Sequence, residues 1–412
     1  MAKINTLRMA AVALLMSSTA AFAETKTEVI HWWTSGGESA AVKVFADQFT
    51  KAGGTWMDTA IAGGEQARAA GIARIVGGKP PSAMQFNTGK QFDEIVANGY
   101  VNDIDAVAKA DNWAKVVPAA FMNAVSRNGK VYAVPVNIHG QNWLWFNNAV
   151  LAKAGVAAPK TWDDVLAALE KIKAMGGVTA FGQGGQAWQE NILFNTLLLG
   201  VGGRDLYHTL YEKKDMAAIT GADMKKVVDT FGKLRGYADP AGPQDWNQVT
   251  AGVISGKIAM QVMGDWAKGE LLAANLTPGK EVGCALVGKE ANFMMGGDIF
   301  VFAKTTDKDQ IAAQAMLAKT MISPETQVLF NNKKGSIPIR TDVDTSKMDV
   351  CAQIGVKAVQ DPAGQAPAAN MLISADLDGA LQDVVTKFWS TPAMTTDQFI
   401  EAYAKAFKTA GN

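Results

Sequence analysis

The chain has 412 residues with 39 basic and 39 acidic side chains, and 48% of its residues are hydrophobic. At about 150 residues per domain, this length predicts two or three globular domains. The balanced charge excludes a basic nucleic-acid-binding surface and a polybasic membrane-binding face. No stretch after the first 23 residues reaches the roughly 18 consecutive apolar residues that a membrane-spanning helix needs.

The first 23 residues predict a cleaved secretion signal. Lys3 and Arg8 give a positive start, Met9–Met16 is an apolar run, and Ala21–Ala23 is a small-residue cleavage site. No cysteine lies near this junction, which argues against a lipid-anchored precursor. We therefore expect a mature protein that begins at Glu24 and is exported to the periplasm.

The chain has two cysteines, Cys284 and Cys351. An oxidising compartment allows them to form one disulfide. The alternative is a pair of buried free thiols, which pack as small hydrophobic side chains. The sequence leaves both possibilities open.

The segment Val29–Glu38 combines a short apolar strand, two tryptophans, a Ser-Gly-Gly turn and a carboxylate at the start of a helical pattern. Ligands bind at the carboxyl ends of strands in open α/β sheets. An indole packs on the apolar face of a sugar, and a carboxylate accepts hydrogen bonds from its hydroxyls. Because neighbouring strand residues point to opposite faces, we expect one of Trp32 and Trp33 in the core and the other at a ligand.

A second predicted strand also ends in polar side chains. Ser82–Asn87 is a short apolar strand that ends in amides, and Gly89-Lys90 follows it. Gln85, Asn87 and Lys90 therefore lie where they can donate and accept hydrogen bonds toward one ligand. A solvated surface position explains Lys90 almost equally well.

Asn128-Gly129 predicts a type I′ hairpin turn, and the strand after it runs to Pro135. The next segment contains Asn137 and His139. Because no nucleophile elbow accompanies His139, a hydrogen-bonding or structural role is favoured over that of a catalytic base.

Four later segments each bring a polar or aromatic side chain to the end of a strand or to a turn. They are the strand and glycine-rich loop Thr179–Gly185 leading to Gln189, the strand Gly256–Trp266 ending in Asp265 and Trp266, the turn Gly296–Asp298, and the turn Asn332–Arg340 with Lys334. The glycine-rich loop lacks the phosphate-loop signature. Helices of 3.6-residue period alternate with short apolar strands, which predicts the α/β class.

Taken in order, these motifs resemble the periplasmic sugar-binding proteins of bacterial ABC importers, and most closely the glucose/mannose-binding members of family 1 of the extracellular solute-binding proteins. The markers are Trp32-Trp33 to Glu38, Gln85 with Lys90, Tyr132–Asn137, Gly264–Trp266, Gly296–Asp298 and Lys334–Arg340. The resemblance implies a two-lobed periplasmic-binding-protein fold with hinge crossovers and a ligand cleft between the lobes. It implies an N-terminal lobe of residues 24–135 plus 289–340 and a C-terminal lobe of residues 136–288 plus 341–412.

The resemblance also implies roles for individual residues. One of Trp32 and Trp33, together with Trp266, would stack on the sugar. The groups that would hold its hydroxyls are Glu38, Asp298 and Lys334, with Gln85 and Lys90 from the first lobe and Asn137, His139 or Gln189 from the second. Two differences leave the identity of the sugar open: Ala369–Ala375 contains no histidine, and Asn87 stands where those relatives have one.

The function implied is high-affinity binding of a monosaccharide, glucose or a close relative, and its delivery to the permease subunits of an ABC importer. We expect a monomer that is not an enzyme, with no cofactor and no metal, because the histidines and cysteines lack metal-ligand spacing. One alternative is a secreted glycoside hydrolase that uses two carboxylates from Glu38, Asp265 and Asp298. Another is the same fold binding an oligosaccharide, a polyamine or another non-sugar solute.

Overall fold

The structure is a computed structural model that describes residues 26–238, 245–288, 290 and 292–411. The predicted secretion signal, residues 1–23, lies outside these residues. Among the helices that are described, none is both long enough and apolar enough to cross a membrane.

The strands of the described residues follow the chain in this order: β1 Lys26–His31, β2 Thr55–Ala60, β3 Ala83–Asn87, β4 Ser126–Arg127, β5 Lys130–Val131, β6 Ala133–Pro135, β7 His139–Gly140, β8 Trp143–Asn147, β9 Thr179–Gly182, β10 Ile258–Met263, β11 Val282–Leu286, β12 Phe293–Gly296, β13 Asp298–Phe302 and β14 Gln365–Pro367.

The helices are α1 Gly36–Lys51, α2 Gly64–Val76, α3 Asp93–Ala97, α4 Asp105–Ala110, α5 Trp113–Val116, α6 Ala119–Val125, α7 Asn148–Lys153, α8 Trp162–Met175, α9 Ala187–Gly200, α10 Arg204–Tyr211, α11 Ala222–Arg235, α12 Trp246–Ile254, α13 Ala267–Ala273, α14 Lys308–Ile322, α15 Pro324–Lys334, α16 Val350–Gln360, α17 Ala369–Leu372, α18 Ala375–Ser390 and α19 Thr396–Ala410. Short 3-10 helices lie at Met216–Thr220 and Pro362–Gly364. Alternating strands and helices confirm the predicted α/β class.

The first lobe is built on a five-stranded sheet with the order β2-β1-β3-β13-β6. Strand β1 pairs in parallel with β2 and β3, whereas β13 is antiparallel to β3 and β6. Helix α2 packs against β1 and β3, and α14 packs against β1 and β6. The carboxyl ends of β1 and β3 therefore meet the amino end of β13, where Asp298 pairs with Asn87.

The second lobe is built on a four-stranded sheet with the order β11-β8-β10-β9. Helix α9 packs against β10 and against α18 and α11. An aromatic cluster of buried side chains joins α9 to α11 and α19, with Phe194 within 5.1–5.5 Å of the rings of Phe231, Phe399 and Tyr403. Helix α9 is thus fixed from several sides.

The chain passes between the lobes on neighbouring crossovers. One crossover joins β6 to β7 and another joins β12 to β13, and β7 pairs with β12 in a small sheet that also contains β14. A further connection is tied to the first by two backbone hydrogen bonds between Ile138 and Ile337, of 2.8 and 3.0 Å. Gly297 packs against the carbonyl of Asn137, so a side chain there would push the two crossovers apart.

Two local predictions can be compared directly with the structure. The Asn128-Gly129 turn joins β4 to β5 with φ of 50° and 76°, which confirms the type I′ hairpin. Cys284 and Cys351 form a disulfide with an S–S distance of 2.01 Å. The open choice between a bridge and free thiols is therefore decided for the bridge, which fastens β11 to the start of α16.

Candidate functional site

A cleft of about 660 Å³ lies where the two lobes meet the crossovers. Its lining includes the turn after β1, the first turns of α2 and α9, helix α18, and the crossovers themselves. Seven of the eleven predicted binding residues line it: Trp32, Trp33, Glu38, His139, Trp266, Asp298 and Lys334. The structure places Gln85, Lys90, Asn137 and Gln189 outside the lining.

The two adjacent tryptophans have different surroundings. Trp33 is 1% exposed and packs against Phe45, Phe300 and Phe330, so all but its edge belongs to the core of the first lobe. Trp32 is only partly buried and contributes its ring to the cleft. Its backbone N–H donates to Gln85 Oε1 at 3.1 Å, which fixes its position at the strand end.

Glu38 and Lys334 form a buried ion pair at the cleft wall. Glu38 is the third residue of α1, where its carboxylate and the Ser35 hydroxyl make a capping box. Lys334 Nζ lies 3.3 Å from Glu38 Oε1, and its side chain is 3% exposed. An ammonium has three donors, and Glu38 is its one hydrogen-bond partner within the described chain. Two donors therefore remain for a ligand, beside the Trp266 ring at 5.9 Å.

His139 lies between two carboxylates. Its Nε2 is 2.9 Å from Asp298 Oδ2, and its Nδ1 is hydrogen-bonded to Asp265 Oδ1. Burial alone would lower the pKa of His139, but the two carboxylates raise it above its ordinary value. Burial would likewise raise the pKa of Asp298, yet the neighbouring imidazolium and hydrogen bonds lower it to about 2. His139 thus lies in a row with a carboxyl group on either side, an arrangement that favours its protonated form.

Gln85 and Asn137 support Asp298 from behind and do not reach the cleft. Gln85 Nε2 donates to Asp298 Oδ1 at 3.0 Å, and Asn137 Nδ2 donates to Asp298 Oδ2 at 2.8 Å. The Asn137 side-chain oxygen accepts from the Asp298 backbone N–H at 2.7 Å. A carboxylate has about four lone-pair sites, and these two amides with His139 occupy three of them. One acceptor site of Asp298 remains for a ligand.

Two other predicted contacts are also displaced from the cleft. Lys90 is exposed, and its ammonium donates to the Leu372 carbonyl at 3.2 Å, as a surface lysine does. Gln189 is completely buried, and neither of its amide atoms has a hydrogen-bond partner among the described residues. The physical reason is helical geometry, because position 189 is turned by about 100° from the face of α9 that meets the cleft.

That face of α9 and neighbouring segments supply cleft residues that sequence reasoning missed. Trp188, Asn191, Ile192 and Asn195 follow the spacing of one helix face and line the cleft together. The Trp188 ring lies 6.0 Å from that of Trp266. Other lining residues without a prediction are Trp246 at the start of α12, Arg68 on α2, and Asp378 and Gln382 on α18. The helical spacing of the four α9 residues was a signal that the sequence offered. Trp246, Arg68, Asp378 and Gln382 had no comparable signal.

Glu38, Lys334, His139, Asp298 and Trp266 form a connected set next to the crossovers, which we call the hinge group. The His139 and Trp266 rings are 5.0 Å apart, and Lys334 Nζ lies 5.9 Å from Trp266 and 5.5 Å from Trp33. Buried charges and a partly exposed indole thus surround one small volume. Such a set can hold a polar ligand that also has an apolar face.

Two α/β lobes joined by crossovers, with a polar and aromatic cleft at the hinge, define a ligand-binding receptor of the two-lobed class. Residues 33–328 match the family described as "Bacterial extracellular solute-binding protein". The chain therefore belongs to that family, as the sequence motifs predicted.

Relatives and solved structures agree with this assignment. A protein of Rhizobium meliloti (strain 1021) named "Probable sugar-binding periplasmic protein" is 39% identical over 84% of each chain. A protein of Mesorhizobium japonicum with the same name is 38% identical over 93% of this chain and 94% of its own. The solved structure of a "Chitin oligosaccharide binding protein" has a TM-score of 0.79, with 19% identity over 94% of this chain and 99% of that chain. The last likeness shows the two-lobed fold.

Proposed function

We propose that the protein binds a monosaccharide, glucose or a close relative, in the periplasm and delivers it to the permease subunits of an ABC importer. Membership of the solute-binding family supports the receptor role, and the names of the relatives support a sugar ligand and a periplasmic location. The observation that carries the proposal is the hinge group, in which an indole lies beside a buried ammonium and two buried carboxylates.

A sugar suits the hinge group because it has hydroxyls at its rim and C–H groups on its faces. Lys334 has two free donors, and the carboxylates of Glu38 and Asp298 keep free acceptor sites. Charge-assisted hydrogen bonds to hydroxyls are about twice as strong as neutral ones. A ligand without those hydroxyls would leave buried charges unpaired, so the same groups select against it.

The compactness of the hinge group supports a single sugar ring. The Trp266 ring is 5.0 Å from the His139 ring and 5.9 Å from Lys334 Nζ, so the aromatic surface and the charged groups converge on one place. One hexose can contact all of them together. Trp188, 6.0 Å from Trp266, extends this aromatic wall.

The charge state of Asp298 argues against this residue as the general acid of a glycoside hydrolase. A glycoside hydrolase needs one carboxyl group whose pKa is raised, so that it can protonate the leaving oxygen. The pKa of Asp298 is lowered to about 2 by His139. Asp265 lies behind His139, where it accepts from the Gly140 N–H at 2.8 Å and does not line the cleft. Of the three carboxylates named for the hydrolase alternative, the third, Glu38, is paired with Lys334.

The proposal is tested by calorimetric titration of the mature protein with D-glucose, D-galactose, D-mannose, D-xylose and maltose, with an assay of each mixture for product. We expect one-to-one binding of one monosaccharide and no turnover. Consumption of maltose would replace the proposal by a hydrolase. Tight binding of maltose alone would move the ligand to the oligosaccharide class, and no binding of any sugar would refute the proposed function.

A further inference from the structure

Arg68 is a cation in the cleft without a hydrogen-bond partner among the described residues. It lies on the first turns of α2, and its guanidinium is 5.6 Å from the centre of the Trp32 ring. Loss of solvent lowers its pKa, while Glu65 and Asp378 act in the opposite direction. A guanidinium has five N–H donors. Leaving these donors unsatisfied in a partly buried side chain costs free energy, so a new hydrogen-bond partner would stabilise Arg68.

Asp378 is the complementary group on the other lobe. It lies on the first turns of α18, is 7% exposed and lines the same cleft. Its Oδ2 accepts one hydrogen bond, from Gln382 Nε2 at 2.9 Å. Within the described residues it forms no ion pair, although Arg68 is the cation that acts on it. A buried carboxylate in this state is costly unless a cation reaches it.

The two groups line the same cleft from different lobes. Helix α2 packs against the first-lobe strands β1 and β3, and α18 packs against α9 and α19 of the second lobe. Hinge closure around a ligand is the motion that brings such lobes together. We propose that Arg68 and Asp378, the cross-cleft pair, come into direct contact when the lobes close, and that this contact is a positioning device that holds the sugar-bound state. This inference rests on the proposed function.

The ionisation of Asp378 gives the pair a measurable signature. Burial raises the pKa of Asp378 to about 6. The pair needs the ionised carboxylate, so sugar affinity is full above this pKa and falls as the pH drops through it. If one such group must be ionised for closure, the loss between pH 7 and pH 5 reaches about tenfold.

Other groups near Asp378 must be separated from this effect. Burial raises the pKa of Glu190 on α9 to about 7, so Glu190 titrates in the same range. The remaining groups that interact with Asp378 are Gln382 on its own helix, Asn191 on α9, Tyr207 and Tyr211 on α10, and Tyr403 on α19. The pKa values of the three tyrosines are raised, so they stay neutral. Asp378→Asn removes only the Asp378 titration and leaves that of Glu190 in place.

The test is a double-mutant cycle on the mature protein with D-glucose as the first probe and D-galactose and D-mannose beside it. We expect Arg68→Met and Asp378→Asn each to weaken sugar binding by at least about fivefold. The double variant should bind no less tightly than the single variant with the lower affinity. Exchanging the charges, Arg68→Asp with Asp378→Arg, should restore binding to within about threefold of wild type. Asp378→Asn should also abolish the tenfold pH effect.

Lys43→Met is the matched control, because it removes one exposed first-lobe cation that is paired with Asp47 within α1. It should leave the affinity within about twofold of wild type.

Should Arg68→Met unfold, Arg68→Lys keeps the charge, and we expect binding within about threefold of wild type. Single variants that bind like wild type, or effects that add in the double variant, would overturn the cross-cleft pair alone. A wild-type protein that binds none of these three sugars, and neither D-xylose nor maltose, would refute the proposed function and the pair with it.

Discussion

The hinge group and the cross-cleft pair solve the problem of buried charge in opposite ways. In the hinge group each charge already has a partner: Glu38 with Lys334, and Asp298 with His139. Arg68 and Asp378 have opposite charges in the same cleft, yet neither belongs to an ion pair among the described residues. A prepaired group is rigid and selects its ligand by shape and hydrogen bonding. The cross-cleft pair, in contrast, forms its ion pair only on closure and therefore stabilises the closed state over the open one.

Asp298→Ala should have the largest effect, because it removes the centre of the hinge group. It leaves His139 with one carboxylate and deprives the amides of Gln85 and Asn137 of an acceptor. Breaking a buried pair costs about 3 to 5 kcal/mol of the free energy of unfolding. Urea denaturation measures that loss, and calorimetry at a temperature where the variant is folded should show D-glucose affinity reduced by at least about 30-fold.

Asp342→Ala is the control, since Asp342 pairs with Arg340 at an exposed position. It should cost no more than about 1 kcal/mol of unfolding free energy and should leave sugar affinity unchanged. Equal stability losses in the two variants would mean that the hinge group is not the rigid, prepaired element that its contacts indicate.

Reduction of the disulfide should separate global stability from the hinge group. The Cys284–Cys351 bond closes a sequence separation of 67 residues. In the chain-entropy account, a loop of this size contributes about 4 kcal/mol to the free energy of unfolding. Denaturation with and without reductant should show this loss. Because neither cysteine lines the cleft, D-glucose affinity of the folded, reduced protein should stay within about twofold of the oxidised one.

Trp266→Ala should weaken all sugars to a similar degree, because an indole face contacts C–H groups that every hexose has. We expect about a 30-fold loss for each sugar that wild type binds, equivalent to about 2 kcal/mol. Trp56→Ala on β2 is the matched control, since this indole is also partly exposed but does not line the cleft. Wild-type affinity in Trp266→Ala would remove that ring from the site.

Sequence patterns could identify the hinge group because each member stands at a boundary that local patterns mark. Glu38 lies in the first turn of a helix, Trp266 caps the helix that follows a strand, and Lys334 precedes a glycine. Boundaries are visible in the sequence because turn residues and changes of period mark them. The same patterns predicted the α/β class and the hairpin at Asn128-Gly129.

The sequence could not distinguish the residues that line the cleft from those that support them from behind. Gln85 and Asn137 have the residue types of ligand contacts, yet they support Asp298, because β3, β13 and the crossover meet only in the folded chain. Arg68 and Asp378 lie within the first turns of helices, where a charge in the sequence is indistinguishable from a solvated surface residue. Only packing shows that these helices face one cleft.

The smallest predicted effect concerns the pH dependence of the hinge group by itself. In the Asp378→Asn background, D-glucose affinity should change less than about twofold between pH 7 and pH 5. The lowered pKa of Asp298, about 2, means that its charge is lost only as the pH falls well below this range. The raised pKa of His139 means that its charge is lost only as the pH rises through that raised value. Calorimetry at three pH values measures this directly. A tenfold fall in the Asp378→Asn variant would place the pH-sensitive group in Glu190 or in the hinge group, and the contrast between a prepaired hinge and a responsive cross-cleft pair would no longer hold.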